Sequence, residues 1–260
     1  MMKDEYKQNG FYSPLVLFSL EQAKIYRNYL EEVENKIGPL HYFAKTYTMM
    51  RWVYEIATNK ILLDFVEDLI GENILLYNAT FIIKEPMTKT HVSWHQDLTY
   101  WGFDDNEKQV SAWIALSNAD ETSGCMQMIP GSHKKGIFDH KSTNDKNNVL
   151  SRGQTVNNVD IDKAILCPLQ PGEASFHHGL TLHASKPNNS KDRRIGLNFQ
   201  YITPDLKQLK SKDDSALCVR GEDNYNYYKK DVIAKKNFDI EGHQRLIERT
   251  EHYKKTIRED

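Results

Sequence analysis

The first third of the chain carries apolar residues at helical spacing. Between Ser19 and Gly38 they approximate one stripe of a helix, formed by Leu20, Ala23, Ile25, Tyr26, Tyr29, Leu30, Val33 and Ile37. Ser19 is suited to cap the first turn and Gly38 to end the last. The runs "KTYTMMRWVYEIATN" and "KILLDFVEDLIG" predict two more helices, the second ending at Gly71. The pattern therefore predicts a helical N-terminal part over about residues 1–71.

The pattern changes after Gly71. "NILLYNATFIIKEP" is rich in β-branched and aromatic residues and predicts a strand. Six short strand-like runs follow, separated by Gly, Pro, Asn and Asp: "THVSWHQDLTYW", "VSAWIALSNA", "CMQMIPG", "AILCPLQPGEASFHHG", "LTLHASKP" and "RIGLNFQYITP". Many short strands with turn signals are typical of a jelly roll, and the lack of strand–helix alternation argues against a doubly wound sheet. We predict a mainly β protein with flanking helices and a cupin-like jelly-roll core, a double-stranded β-helix, over about 72–205.

Two further segments complete the predicted single domain of residues 1–260. The polar run 141–163 is too long for a hairpin turn, so it is either a lid over a site or a solvated insertion without a role. Residues 206–260 are predicted to form an irregular segment followed by a charged helix at about 241–258.

Composition limits the functional classes. Of 260 residues, 39% are hydrophobic and 27% charged, which is typical of a soluble globular protein, and the net charge of −2 gives no field that would attract nucleic acid or an anionic membrane. No apolar run approaches the ~18 residues of a membrane span, and the N-terminus lacks the apolar segment of a signal peptide. Three widely spaced cysteines indicate reduced thiols and a cytoplasmic location. The sequence carries no signature of a particular oligomeric state.

The stretch "SWHQDLTYWG" at 93–102 contains the first candidate chemistry. If it is extended, Ser93, His95 and Asp97 share one strand face, so the imidazole and the carboxylate could grip one ion. A two-histidine, one-carboxylate metal site needs a third ligand from elsewhere. The candidates are His91, His133, His140, His177, His178 and His183.

A second candidate site follows from "LTLHASKPNNSKDRRIGLNFQYI". His183 and Ser185 share one face of a strand-like run. The returning strand has an apolar face and a polar face, the latter consisting of Arg194, Gly196, Asn198 and Gln200. An arginine on an inward polar face is costly unless it meets an anion, and its fork suits a carboxylate.

These motifs together resemble the phytanoyl-CoA dioxygenase family of iron(II)- and 2-oxoglutarate-dependent oxygenases. The resemblance rests on "WHQD", "GCMQMIPGSH" and "HHGLTLHASKPN" followed by "DRRIGLNFQY", in this order. It implies iron(II) bound by His95, Asp97 and His183. It also implies that Arg194, 11 positions past His183, binds the far carboxylate of 2-oxoglutarate with help from Ser185.

The resemblance further implies that dioxygen is consumed and that decarboxylation of 2-oxoglutarate is coupled to hydroxylation of an unactivated C–H bond. Relatives that halogenate have a small residue where this chain has Asp97, so hydroxylation is expected. The substrate would be a small molecule, and acyl-CoA, amino-acid derivatives, natural products and phosphonates all remain open.

Each assignment has an alternative. His95 and Asp97 could be a plain hydrogen-bonded pair, His183 a core histidine, and Arg193 the anchor in place of Arg194. His177 and His178 are read as supporting or structural residues. The aromatic residues Tyr100, Trp101 and Trp113 could line the substrate cavity or simply pack in the core, and Lys45 and Lys84 are remote candidates for binding an anion.

Two other functional classes compete with an oxygenase. One is a catalytically silent jelly-roll binding protein, which the complete set of candidate residues argues against. The other is a zinc-dependent hydrolase using the same three ligands, which leaves Arg194 unexplained.

Overall fold

The computed structural model describes residues 1–143, 145–150 and 153–258, without the side chains of residues 100, 257 and 258. The α-helices in these residues are α1 (Met2–Asn9), α2 (Leu20–Ile37), α3 (Arg51–Ala57), α4 (Lys60–Ile70), α5 (Leu98–Trp101) and α6 (Glu241–Arg258). None of the described helices is long and apolar enough to cross a membrane.

Helix α2 has the ends that its sequence predicts. Ser19 Oγ accepts a hydrogen bond of 3.2 Å from the Gln22 N–H, as an N-cap does. At the other end Gly38 has φ of 90°, a left-handed conformation that glycine adopts without strain. Short-range chemistry therefore accounts for both ends of this helix.

The described strands account for most of the middle of the chain. They are β1 (Phe11–Val16), β2 (Ile74–Lys84), β3 (Val92–His95), β4 (Gln109–Ala115), β5 (Met126–Met128), β6 (His140–Ser142), β7 (Gln154–Val156), β8 (Ile165–Cys167), β9 (Glu173–His177), β10 (His183–Ser185), β11 (Arg194–Ile202), β12 (Ser215–Arg220) and β13 (Lys229–Lys230). A mixed seven-stranded sheet has the order β1-β9-β4-β11-β2-β12-β13, and a four-stranded sheet has the order β3-β10-β5-β8. The predicted strand-rich architecture with flanking helices is confirmed.

Some strands depend on partners that are distant in sequence. β1 pairs antiparallel with β9, and Phe11 lies opposite His177. β12 pairs antiparallel with β2 and parallel with β13. Neither β1 nor β12 was predicted, because the run "FYSPLV" contains a proline and residues 215–220 lie in a polar context.

The polar segment 141–163 contains regular structure. β6 and β7 form a small antiparallel sheet in which His140 lies opposite Val156, and a 3-10 turn covers Ile161–Lys163. The predicted loop is therefore partly a β-ribbon. Asn144, Ser151 and Arg152, on which part of that prediction falls, lie outside the described residues.

The chain divides into two compact units. The first unit comprises Met1–Lys24, Ile83–Thr99 and Trp113–Gly196, and the second comprises Ile25–Ile82, Tyr100–Ala112 and Leu197–Asp260. In the first unit Ile129, Val156 and Leu182 form a buried apolar cluster, against which Trp94 packs. In the second unit Trp52 is fully buried and stacks on Tyr26, with ring centroids 5.5 Å apart.

A buried ionic network lies in the second unit around Lys45. Its ammonium is 3.4 Å from Asp231 Oδ2 and 3.8 Å from Asp214 Oδ1, and the side chains of all three are at most 1% exposed. Tyr47 donates a hydrogen bond of 2.6 Å to Asp231 Oδ2, and Arg249 Nε lies 3.1 Å from Asp231 Oδ1. Lys45 is thus neutralised by carboxylates within the second unit, which gives it a structural role.

Replacing Asp231 should destabilise the protein strongly. Asp231→Ala leaves Lys45 buried without its nearest carboxylate, and breaking a buried pair costs about 3–5 kcal/mol. The control is Asp213→Ala, since Asp213 pairs with Lys229 in an exposed ion pair and its removal should change little. Urea unfolding of both variants measures the difference, and equal midpoints would contradict the structural role.

Asp231→Ala should also change how the free energy of unfolding depends on pH below neutrality. Burial alone would raise the pKa of Asp231, but Lys45, then Tyr47, hold it below the usual 3.8. A lowered pKa contributes stability that is present above pH ~4 and is lost as pH falls through the folded-state value. Stability measured between pH 7 and pH 3 should therefore fall less steeply in Asp231→Ala than in the wild type.

Candidate metal centre and anion site

Two histidines face each other across neighbouring strands of the four-stranded sheet. β3 and β10 pair antiparallel, and the register places His183 directly opposite His95. Their ring centroids are 4.1 Å apart, and the residues are 4% and 6% exposed. Residues opposite each other on paired strands point to the same face of the sheet, so the register brings the two imidazoles together.

Hydrogen bonds orient both rings in the same way. His95 Nδ1 lies 2.9 Å from the Ser93 carbonyl, and His183 Nδ1 lies 2.9 Å from the Thr181 carbonyl. Because a carbonyl only accepts, each Nδ1 carries a proton, and in the neutral ring Nε2 then keeps the lone pair. Metal-binding histidines are oriented in this way.

Asp97 completes a group of three possible ligands. Its Oδ1 lies 3.4 Å from His95 Nε2 and 3.7 Å from His183 Nε2. One ligand atom from each of the three residues lies within 4.8 Å of the others, which is close enough to hold one metal ion. β3 ends at His95, however, so Asp97 reaches this position from a turn and not from the strand face that alternation predicted.

The turn that carries Asp97 is held through Gln96. The Gln96 N–H donates a hydrogen bond of 3.0 Å to His140 Nε2. The Gln96 amide nitrogen donates to the carbonyls of Gly136 and Leu180 at 2.9 and 2.7 Å, and its oxygen accepts from the Phe138 N–H at 2.8 Å. Sequence reasoning missed this role of Gln96 and His140, because the partners are some 40 residues or more away along the chain.

Burial and proximity shift the titration of the candidate ligands. Burial, then the nearby His95, lower the pKa of His183 well below its usual value, so its Nε2 is unprotonated at neutral pH. Burial alone would raise the pKa of Asp97, but the nearby His183 and a hydrogen bond from His177 hold it well below its usual value. At neutral pH His183 thus offers a lone pair and Asp97 a carboxylate.

The remaining candidate histidines fall into different places. His177 Nε2 lies 3.2 Å from Asp97 Oδ2, so this side chain contacts the group of three. His178 Nδ1 accepts a hydrogen bond from the Leu180 N–H, and its ring lies 5.5 Å from that of His133. His91 Nε2 lies 3.6 Å from a carboxylate oxygen of Asp145.

A buried cationic group lies at the ends of β2, β10 and β11. Arg194 is 1% exposed, and its guanidinium carbon lies 5.1 Å from the Trp113 ring centroid. Lys84 is also 1% exposed, and its ammonium donates to the Ser185 hydroxyl at 2.6 Å and to the Ser185 carbonyl at 3.1 Å. Ser185 therefore lies beside a buried cation, as a residue helping to bind an anion would.

Arg194 and Lys84 interact electrostatically. Burial, then the charge of Arg194, lower the pKa of Lys84 to about 6. An anion placed between them would raise that pKa again and relieve the repulsion. Lys84 was only a remote candidate from sequence, although a lysine at the end of the apolar run "FIIK" is an unusual residue to bury.

The three predicted substrate-lining aromatic residues differ in their surroundings. Trp113 contacts Arg194, as described above. Trp101, in the second unit, is 3% exposed and packs edge-on against Phe103 at 5.9 Å. The side chain of Tyr100 lies outside the described part of the chain. Their role in lining a substrate cavity stays a prediction.

The strand order, the paired histidines and the carboxylate define a jelly-roll protein with a candidate two-histidine, one-carboxylate centre. Residues 18–196 match the family model of phytanoyl-CoA dioxygenase (PhyH). This chain belongs to that family.

Three similar proteins extend the comparison. A probable α-ketoglutarate-dependent hypophosphite dioxygenase of Stutzerimonas stutzeri is 32% identical over 182 residues, covering 69% of this chain and 59% of that protein. A solved structure of the non-heme monooxygenase ThoJ, in its apo form, is 25% identical with a TM-score of 0.86, covering 99% of this chain and 98% of the other. The structure of CytC3 with Fe(II) and α-ketoglutarate is 19% identical with a TM-score of 0.69, covering 92% and 94%.

The comparisons confirm the predicted fold class. At 19% identity, the similarity to CytC3 is evidence for the fold only. The chain spans 52–62% of the length of the curated relatives that include the Stutzerimonas protein and the rat and human phytanoyl-CoA dioxygenases.

Gly196→Ala should disturb the packing beside Arg194. An ideal Cβ at Gly196 would lie 1.8 Å from Cζ2 of Trp113, so the ring must move off Arg194. Such overpacking costs roughly 1–3 kcal/mol, and urea unfolding measures it. In a Trp113→Leu background the cost should shrink because the clash is gone. The same cost in both backgrounds would show that Trp113 is not what excludes a side chain at this position.

Proposed function

We propose that this protein is an iron(II)- and 2-oxoglutarate-dependent oxygenase that hydroxylates an unactivated C–H bond of a small molecule. The observation that carries the proposal is the convergence of His95 Nε2, Asp97 Oδ1 and His183 Nε2 within 4.8 Å of one another. In their neutral forms both imidazoles turn an Nε2 lone pair toward the same point, because their Nδ1 nitrogens donate to carbonyls. Two imidazoles and one carboxylate form a donor set that suits iron(II).

In this proposal His95, Asp97 and His183 would hold iron(II). When bound, iron(II) would couple the decarboxylation of 2-oxoglutarate to oxidation of the substrate. Asp97 enters as an anion, since its pKa is lowered, and offsets part of the charge of the metal. His95 and His183 are only 4% and 6% exposed, which would limit competing reactions with water.

The cationic group would bind the distal carboxylate of 2-oxoglutarate. Arg194 offers a planar fork that matches a carboxylate, and Ser185 offers a hydroxyl. Lys84 supports this assignment in two ways: it donates to Ser185 Oγ at 2.6 Å, and an anion bound beside it would raise its pKa from about 6 and so favour its charged form. This makes Lys84 a third residue of the proposed co-substrate site.

Hydroxylation is the reaction that Asp97 favours. Its carboxylate supplies the third protein ligand in the place where halogenating relatives carry a small residue and accept halide. A halide beside Asp97 would also meet like charge in a largely buried site. The proposed product therefore carries a new hydroxyl group and no halogen.

Two other functions explain less of the site. A zinc-dependent hydrolase could use His95, Asp97 and His183, but it gives no use to the buried Arg194 and Lys84. A silent binding protein would not need two imidazoles held with their Nε2 lone pairs toward one carboxylate. We therefore retain the oxygenase.

The proposal predicts release of succinate that depends on His183. The wild type, given iron(II), 2-oxoglutarate and dioxygen, should release succinate, and zinc should not replace iron. His183→Ala should lose this activity by at least about a hundredfold, since a ligand of the metal is missing. The control is His91→Ala, because His91 lies apart from the ligand group and pairs with Asp145. Mass spectrometry of a substrate library would identify the hydroxylated compound, and activity with zinc alone would favour the hydrolase.

The chain offers a matched pair of arginines for testing the co-substrate site. Arg194 is 1% exposed, whereas its neighbour Arg193 forms an ion pair of 3.0 Å with the largely exposed Glu85. Losing a buried charge-assisted contact costs roughly 2–5 kcal/mol, which is about thirtyfold to several thousandfold in affinity. Arg194→Ala should therefore weaken 2-oxoglutarate binding by that factor in calorimetry, and Arg193→Ala should not. Equal small effects at both positions would contradict the assignment.

A further inference from the structure

We infer that His177 is a positioning residue. It holds Oδ2 of Asp97 and thereby leaves Oδ1 as the carboxylate oxygen that is offered to the metal. The inference rests on the metal role proposed above. It concerns a residue outside the three ligands, so it can fail while the proposed function stands.

The two oxygens of Asp97 have different partners. Oδ1 lies 3.4 Å from His95 Nε2 and 3.7 Å from His183 Nε2, whereas Oδ2 lies 3.2 Å from His177 Nε2. A carboxylate can bind a metal through one oxygen or through both. A hydrogen bond donated to Oδ2 favours binding through Oδ1 alone and leaves a coordination position for another ligand.

The proton of His177 must lie on the nitrogen that faces Asp97. The contact of 3.2 Å between His177 Nε2 and Asp97 Oδ2 is a hydrogen bond only with the proton on Nε2, because a carboxylate oxygen accepts. With the proton on Nε2, this nitrogen donates to Oδ2 and has no lone pair for a metal. Thus His177 is a donor to a ligand and is not itself a ligand, although its ring lies only 4.6 Å from that of His183.

The contact is kept at a cost. Within the described residues His177 Nδ1 is buried and has no hydrogen-bond partner, and the residue is 2% exposed. A buried polar atom without a partner costs about 1–3 kcal/mol. Packing alone would be served better by an apolar side chain, so the cost points to a function for the other nitrogen.

Asp97 has a particular need for such support. It lies two residues beyond His95, the last residue of β3, so no strand ladder fixes its backbone. His177, by contrast, is the last residue of β9 and lies opposite Phe11 of β1. The hydrogen bond therefore ties a ligand on a turn to a residue on a paired strand, as partners of metal ligands commonly do.

Metal binding by the unloaded protein tests the inference without any turnover. His177→Leu removes the donor, His177→Gln keeps an N–H of similar reach, and His178→Gln is the control at the adjacent buried position. We expect Mn²⁺ affinity in calorimetry to fall about 10–100-fold in His177→Leu, to recover to within a few fold in His177→Gln, and to stay unchanged in His178→Gln. The Co²⁺ absorption spectrum of His177→Leu should also weaken, because binding through both oxygens raises the coordination number.

The results distinguish failure of the inference about His177 from failure of the proposed metal centre. Wild-type Mn²⁺ affinity and an unchanged Co²⁺ spectrum in His177→Leu would overturn the inference. If circular dichroism shows that His177→Leu is unfolded, His177→Asn, whose shorter donor falls short of Asp97, takes its place in the comparison with His177→Gln. Equal metal affinity in those two variants would then overturn it. A wild-type protein that binds neither Mn²⁺, Co²⁺ nor Fe²⁺ would instead overturn the proposed metal centre, and the inference with it.

Discussion

The candidate metal centre depends on the register between β3 and β10. His95 and His183 are more than 80 residues apart, and only their positions opposite each other bring the rings to 4.1 Å. A slip of one residue would turn one histidine to the other face of the sheet. The pairing of β10 with β5, where His183 lies opposite Met128, fixes β10 from its other side. Strand pairing at His95 and His183 thus brings the two ligands together, although the register of β3 and β10 shifts between His183 and Ser185.

Buried charge distinguishes a structural network from a candidate binding site. In the second unit the ammonium of Lys45 lies within 4 Å of two carboxylates, so its charge is already neutralised. In the first unit Lys84 donates to neutral oxygens of Ser185 and Lys186, and burial and the charge of Arg194 lower its pKa to about 6. Lys84 is therefore largely uncharged at neutral pH, and a bound anion would favour its charged form. A buried lysine therefore belongs to a structural ion pair at position 45 and to a candidate anion-binding site at position 84.

Asp97 lies beside the two histidines, but not for the reason that strand alternation gives. Alternation along a strand predicted that His95 and Asp97 share a face, but the strand stops at His95. The carboxylate reaches the histidines because Gln96, between them, is bound to residues 136–140 and to the Leu180 carbonyl. The local sequence supplied the ligands, whereas distant backbone groups set their geometry.

The sequence by itself determined the elements whose signals are local. The ends of α2 follow from Ser19 and Gly38, the β-rich middle follows from β-branched runs between turn residues, and the candidate ligands follow from their spacing and resemblance. The tertiary structure alone decided which strands pair, that β1 and β12 exist, that Lys84 lies beside Ser185, and that His177 contacts Asp97. These features depend on contacts between residues far apart in the chain. The hydrophobic periodicity of one strand does not identify the strand with which it pairs. Local sequence therefore fixes which side chains are available, and long-range packing fixes which of them meet.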